Sequence, residues 1–192
     1  MKLGRIHEKI IEDDSDKILV IGGRFSGKTT IAMLRAYREM KMGKSVLFVT
    51  YYASVPILYE YAEHIMGSEN IEKVSSIELR VGNGTMRFAA KYHDGYDIVI
   101  VDNAEYLELR VLNEIVKNAD RIMILATPVY DNILLYDIWR NDNEWVKYQV
   151  RSFDNPEFSG VVAQRIIKDF GMEYYQYVVE ANPFGFARGI IV

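Results

Sequence analysis

Eight residues, Gly22-Gly23-Arg24-Phe25-Ser26-Gly27-Lys28-Thr29, constrain this chain more than any others. They follow a short apolar, β-branched run, Lys17 to Ile21, and open a segment of helical spacing from Thr29 to Met42. Glycines let the backbone curl so that successive N–H groups point inward at anionic oxygens. The helix that begins near Lys28 adds the positive end of its dipole. The pattern G-x-x-x-x-G-K-[ST] between a strand and a helix is that of a phosphate loop. The expected ligands are ATP and Mg²⁺. Gly22, Gly23, Arg24, Phe25, Ser26, Gly27, Lys28, Thr29 and Thr30 form the nucleotide-binding set. In it Lys28 neutralises the β- and γ-phosphates and the Thr29 hydroxyl ligates the metal.

The rest of the chain alternates between two hydrophobic periods. Ser45 to Thr50, Asp97 to Val101, Arg121 to Ala126 and Trp145 to Val150 read as strands. Helical spacing runs from Ser54 to Gly67, from Leu107 to Ala119, from Asp131 to Arg140 and onward from a cap at Asn155-Pro156. Ile77 to Val81 and Met86 to Ala90 flank Gly82-Asn83-Gly84-Thr85, which reads as a hairpin. Strand and helix in alternation predict an α/β fold of RecA-like P-loop NTPase type: a mostly parallel sheet with helices on both faces. Residues 1–153 form the ATPase core of this expectation and residues 154–192 a small helical C-terminal lid or linker of the same domain.

The apolar run Ile98-Val99-Ile100-Val101 ends in Asp102. A phosphate-loop site needs a carboxylate at the tip of a neighbouring strand to hold Mg²⁺, and Asp102 suits that role beside Thr29. Hydrolysis also needs a group that orients water. Asn103 follows Asp102 directly but cannot take up a proton. Glu105, two residues later, has the chemistry if the turn swings it inward, and equally suits a solvated first turn of a helix. Arg24, inside the loop, is placed to reach a γ-phosphate as an arginine finger does. Thr127, after the Arg121 to Ala126 strand, is placed as a γ-phosphate sensor. Glu105, Asn103, Arg24 and Thr127 are therefore the candidate catalytic residues.

Composition narrows the setting. The 192 residues fit one domain, with 49% apolar and 26% charged residues, as in a soluble globular chain. The absence of cysteine excludes disulfides and thiolate zinc sites. No apolar run reaches the roughly 18 residues of a membrane helix, and Met1 to Asp14 lacks a signal-peptide core. The expectation is a cytoplasmic protein without a membrane partner. A net charge of −4 argues against a basic nucleic-acid coat, so any DNA contact is local. The stretch from Arg80 to Lys91, with Arg87, is the candidate surface.

The order of these motifs resembles the ATPase domain of the large terminase subunit, the motor that packages viral DNA. The loop from Gly22 to Thr29 looks like that family's Gly-Gly-Arg-x-Ser-Gly-Lys-[Ser/Thr]. Val81 to Phe88 is similar to its hairpin ahead of the acidic strand. Asp97 to Leu107 is similar to its acidic strand, and Ala126-Thr127-Pro128 to its coupling motif. Trp145 and Asp154-Asn155-Pro156 resemble the segment that follows. The resemblance implies ATP hydrolysis coupled to translocation of double-stranded DNA. It also implies a ring-shaped homo-oligomer on DNA, with a portal, a small terminase subunit and a nuclease domain or protein as partners. Three features depart from the family. Asn103 stands where a glutamate is usual, no adenine-binding glutamine precedes Lys17, and 192 residues leave no room for a nuclease domain. The alternatives are a helicase-type motor domain and a P-loop nucleotide switch with little turnover. A small-molecule kinase ranks below them, since no arginine-rich lid is evident.

Overall fold

A computed structural model describes residues 2–51 and 54–187. Eight strands form one sheet: β1 (Lys17–Gly22), β2 (Ser45–Val49), β3 (Glu72–Ser75), β4 (Glu78–Val81), β5 (Gly84–Ala89), β6 (Ile98–Val101), β7 (Ile122–Ala126) and β8 (Val146–Val150). The spatial order is β3-β4-β5-β2-β6-β7-β1-β8. From β5 to β8 every neighbouring pair is parallel, while β3, β4 and β5 pair antiparallel. The α-helices are α1 (Arg5–Glu12), α2 (Lys28–Lys41), α3 (Val55–Met66), α4 (Leu109–Asn118), α5 (Ile133–Asn141) and α6 (Gly160–Val178).

Pleat alternation explains the helices on both faces. Ile18 and Val20 of β1 enter one apolar cluster with Ile31, Met40 and Leu58 from α2 and α3. Leu19 and Ile21 enter the opposite cluster with Leu112, Ile115 and Leu135 from α4 and α5. Successive side chains point to opposite faces, so a strand covered on both sides reads as a continuous apolar run. The strands Lys17 to Ile21, Ser45 to Val49, Ile98 to Val101 and Ile122 to Ala126 were legible for that reason.

One buried polar cluster ties the layers together. Glu39 of α2 is fully buried and meets Arg35 at 2.8 Å, Arg121 at 3.2 Å and Lys44 at 3.4 Å. Arg35 also donates to the carbonyls of Ile11 and Asp13, which fixes the link from α1 to β1.

The hairpin expected around Gly82 is present, with Val81 opposite Gly84 and a two-residue turn between them. Gly84 is required there, because a Cβ would run into the Met40 carbonyl oxygen. Three elements differ from the sequence expectation. The last helix starts at Gly160, capped by the Ser159 hydroxyl, rather than at Asn155-Pro156. Asn155 is occupied otherwise: its carboxamide accepts from Glu157 N and donates to the Phe25 carbonyl. Helix α1 was not foreseen, nor was β3, whose residues are all exposed and carry no apolar period. Gly171 interrupts α6 with φ 85° and ψ 169°. Residues 188–192 of the expected C-terminal segment lie outside the described residues. Among the described residues, no helix is long and apolar enough to cross a membrane.

Candidate nucleotide-binding site

Three parallel strands end side by side: β1 in the phosphate loop, β7 at Thr127 and β6 at Asp102. Ligands of open α/β sheets bind at this carboxyl edge. Strand β7 lies between the other two, which puts Thr127 between the loop and the acid.

The loop curls over the start of α2. Gly27 takes φ 86° as the residue before the helix, and Phe25 also has a positive φ of 61°. Gly23 donates its N–H to Val150 O at 2.9 Å and Arg24 to Val178 O at 2.6 Å. The sequence expectation had the amides of the whole loop facing a ligand; these two face the protein instead. A Cβ on Gly23 would sit 2.7 Å from both Ser152 Oγ and Val179 O, so this glycine answers to a close backbone approach. The first N–H groups of α2, in residues that line the cleft, have no intrahelical partner.

Lys28 is buried, and its Nζ donates to Gly22 O at 3.1 Å and Gly23 O at 2.8 Å. Burial lowers its pKa, against the nearby charges of Glu105 and Asp102. Thr29 Oγ1 donates to Asp102 Oδ2 at 2.8 Å across 73 residues of sequence. Asp102 is fully buried, and burial pushes its pKa up despite the Thr29 hydrogen bond and the Lys28 charge. Its Oδ1 and the Ser26 Oγ are buried without a partner among the described residues. A hydroxyl and a carboxylate with a spare oxygen are the donors a hard cation takes. The residues present therefore fit Mg²⁺ beside a phosphate chain, with Thr29 and Asp102 to hold the metal.

Asn103 has φ 58° and ψ 42°, a left-handed conformation that asparagine tolerates better than most residues. Its side chain turns back to Asp102 Oδ2 at 3.1 Å. That reversal opens a tight turn, Ala104–Tyr106, which carries Glu105 inward. Glu105 is only 9% exposed, and its Oε2 accepts from Thr127 N at 3.0 Å. Burial raises its pKa, and the Lys28 charge opposes the rise. Arg24 is exposed on the rim. Arg24, Lys28, Thr29, Asn103, Glu105 and Thr127 line one open cleft of about 630 Å³.

A second hollow of about 530 Å³ joins the first at Gly27 and Thr30. Leu3, His7, Tyr61, His64 and Ile65 line it, and Tyr61 OH lies 2.7 Å from Thr30 Oγ1. Its aromatic and aliphatic walls suit a planar base. Tyr61, His7, Ser152 and Asn155 were not candidates in the sequence. Tyr61 was visible only as a core position of α3, and Asn155 only as a helix cap.

The model of the thymidine kinase family matches residues 16–131, from β1 through the loop after β7. No curated protein matches the chain by sequence. Among solved structures the chain is similar to the large terminase ATPase domain of Thermus phage P74-26, with TM-score 0.73 and 16% identity over 94% of each chain. It is also similar to the large terminase of a thermophilic bacteriophage, with TM-score 0.76 and 11% identity. That match covers 94% of this chain but 53% of the phage protein, about half its length. The same phage protein in complex with ATP-γ-S matches with TM-score 0.76 and 11% identity, over 95% of this chain and 53% of that one. At these identities the likeness is one of fold: a terminase-like P-loop ATPase fold. By sequence, with more than half of its residues inside the matching model, the chain belongs to the thymidine kinase family.

Proposed function

We propose that the protein is a RecA-like motor domain that hydrolyses ATP and couples the cycle to translocation of double-stranded DNA. The observation that carries hydrolysis is the second buried carboxylate, Glu105, which lines the same cleft as Lys28 and Thr29, with Asp102 hydrogen-bonded to Thr29 behind them. Asp102 serves the metal. Glu105 is left to orient and deprotonate water, and its raised pKa makes it a stronger base than an exposed glutamate. Mg²⁺, when bound, supplies charge neutralisation at the reacting phosphates. Lys28 and the first amides of α2 hold the phosphate chain, and the base rests in the hollow beside Tyr61. Arg24 and Thr127 flank the γ-phosphate position. The segment from about Asp154, which brings Phe158 and Val162 to the cleft, serves as lid or linker.

Support for a motor comes from extent. The terminase likeness runs over 94% of the chain, including residues after Asp131 that the family match leaves out. DNA, a ring of like subunits, a portal, a small subunit and a nuclease partner follow from that likeness as proposals, as does a host-cytoplasmic setting.

The family match favours a second reading, phosphoryl transfer from ATP to a nucleoside hydroxyl. Glu105 could take the proton from a hydroxyl as well as from water. Product analysis separates the two. With ATP and thymidine, release of inorganic phosphate that rises with duplex DNA supports the motor. Phosphate appearing on the nucleoside, with none released, replaces it with a kinase.

A further inference from the structure

Three consecutive carbonyls of the phosphate loop are each held from outside by a different side chain. Ser152 Oγ donates to Arg24 O. Asn155 Nδ2 donates to Phe25 O at 2.7 Å. His7 Nε2 lies 2.7 Å from Ser26 O. The tautomer of His7 follows from its other bond: Nδ1 accepts from Gly4 N at 2.9 Å, so the proton sits on Nε2 and Nε2 donates. His7 is 2% exposed, and Ser152 is fully buried.

A trans peptide holds its C=O and N–H on opposite sides. Pinning the carbonyls of Arg24, Phe25 and Ser26 outward therefore turns the amides of Phe25, Ser26 and Gly27 toward the hollow. Ser26 N has a long internal contact, 3.2 Å to Gly23 O, and the other two have no equivalent backbone bond among the described residues. The loop's ability to receive phosphate thus depends on residues from α1 and from the turn after β8, far away in sequence. The backbone bond from Arg24 N to Val178 O adds the end of α6 to the same clamp.

The geometry points to His7, Ser152 and Asn155 as positioning residues for nucleotide binding that act through the loop's carbonyls. His7 and Asn155 also line the hollows beside the loop, so exchange at residues 25–27 without nucleotide is the readout that separates holding the loop from touching the ligand. This rests on the phosphate-loop reading above. By linkage, whatever tightens the loop also tightens its holders. Bound nucleotide therefore slows backbone exchange in residues 5–12 and 152–158.

Four variants test the clamp. Asn155→Asp keeps the acceptor for Glu157 N and removes the donor to Phe25 O. Ser152→Ala removes one hydroxyl at nearly constant volume. His7→Ala removes the third donor, and His7→Gln restores an N–H in its place. Affinity for ATP-γ-S should fall about five- to tenfold for Asn155→Asp, Ser152→Ala and His7→Ala. It should recover in His7→Gln. Hydrogen exchange without nucleotide should show faster exchange at residues 25–27 in the first three, with the sheet amides unchanged. Wild-type affinity in Asn155→Asp and His7→Ala overturns the clamp, as does faster exchange spread evenly through the sheet. Lys28→Ala is the control for the underlying reading. If the wild-type protein itself fails to bind ATP-γ-S, the nucleotide assignment falls, and the role of the clamp falls with it.

Discussion

Glu105 Oε2 accepts a hydrogen bond from the Thr127 amide at 3.0 Å, which joins the loop after β6 to the tip of β7. The turn that makes this bond begins at Asn103, whose left-handed backbone carries Glu105 inward. Glu105→Gln keeps an oxygen for Thr127 N and removes the proposed base. Turnover should drop at least about a hundredfold while ATP affinity holds. Asn103→Ala should cost less. A crippled Asn103→Ala beside a normally active Glu105→Gln would reverse the assignment.

Besides its proposed contact with phosphate, Lys28 bridges the Gly22 and Gly23 carbonyls. Lys28→Ala should abolish hydrolysis and weaken ATP binding. Loss of the bridge is offset by removal of a buried charge, so the unfolding midpoint should move little. Equal turnover in the variant with unchanged circular dichroism would remove the phosphate-loop assignment.

Asp102 and Glu105 both hold their protons more tightly than free carboxyls, because burial disfavours the charged form. The folded state then binds more protons than the unfolded one. Stability contributed by this pair should fall as pH rises from the ordinary values of 3.8 and 4.5 through the raised ones. Asp102→Asn should therefore melt higher than wild type at pH 7 and lose metal-dependent nucleotide binding. A lower melting point at pH 7 would contradict the burial argument. Turnover should rise with pH through a value above that of an ordinary glutamate, as Glu105 loses its proton.

Glu39 has the opposite sign. Burial pushes it up, but Arg121, Arg35 and Lys44 together bring it below the usual glutamate value. Its stabilisation is present above pH 4.5 and is lost as pH falls through the lowered value. Glu39→Gln leaves the buried Arg35 with only the exposed Asp14, at 3.8 Å, as counter-charge and should cost about 3–5 kcal/mol. Urea denaturation at pH 7 measures it, and a cost under about 1 kcal/mol would class the cluster with exposed ion pairs.

Arg87 on β5 has a buried Nε without a partner among the described residues, and it shares a surface pocket with Lys91 and His93. If duplex DNA runs over this edge, Arg87→Ala should reduce the slope of log affinity against log salt by about 1. An unchanged slope takes the hairpin out of the DNA path.

The alternating apolar runs made the central strands legible, because strands buried on both faces have nothing polar to interrupt them. The phosphate loop was legible because its function prescribes residue types at fixed spacing. Asn155 was misread as a helix cap for a physical reason: a carboxamide before proline caps a helix or holds a distant carbonyl with the same atoms, and only the fold decides. His7 carried no signal at all, since one histidine in an eight-residue helix has no period to mark it. The inward turn of Glu105 depended on the left-handed backbone of Asn103, which residue type permits but does not prescribe. The family assignment had the same limit. The stretch that matches the thymidine kinase model holds the loop, the acid and Thr127, the parts that chemistry on ATP phosphates has in common.

Gly171 divides α6 into two rods, and a Cβ there would meet nothing within 4 Å, so the backbone angle alone demands glycine. The inner rod ends at Val178, on the Arg24 amide; the outer rod begins at the mouth of the cleft and shows Val161 and Phe170 to solvent. The joint thus separates the rod that reaches the phosphate loop from the rod that borders the cleft. The elbow is set by one residue of the chain, and alanine there, which cannot adopt this backbone angle without strain, should change how the two rods meet while leaving each rod helical.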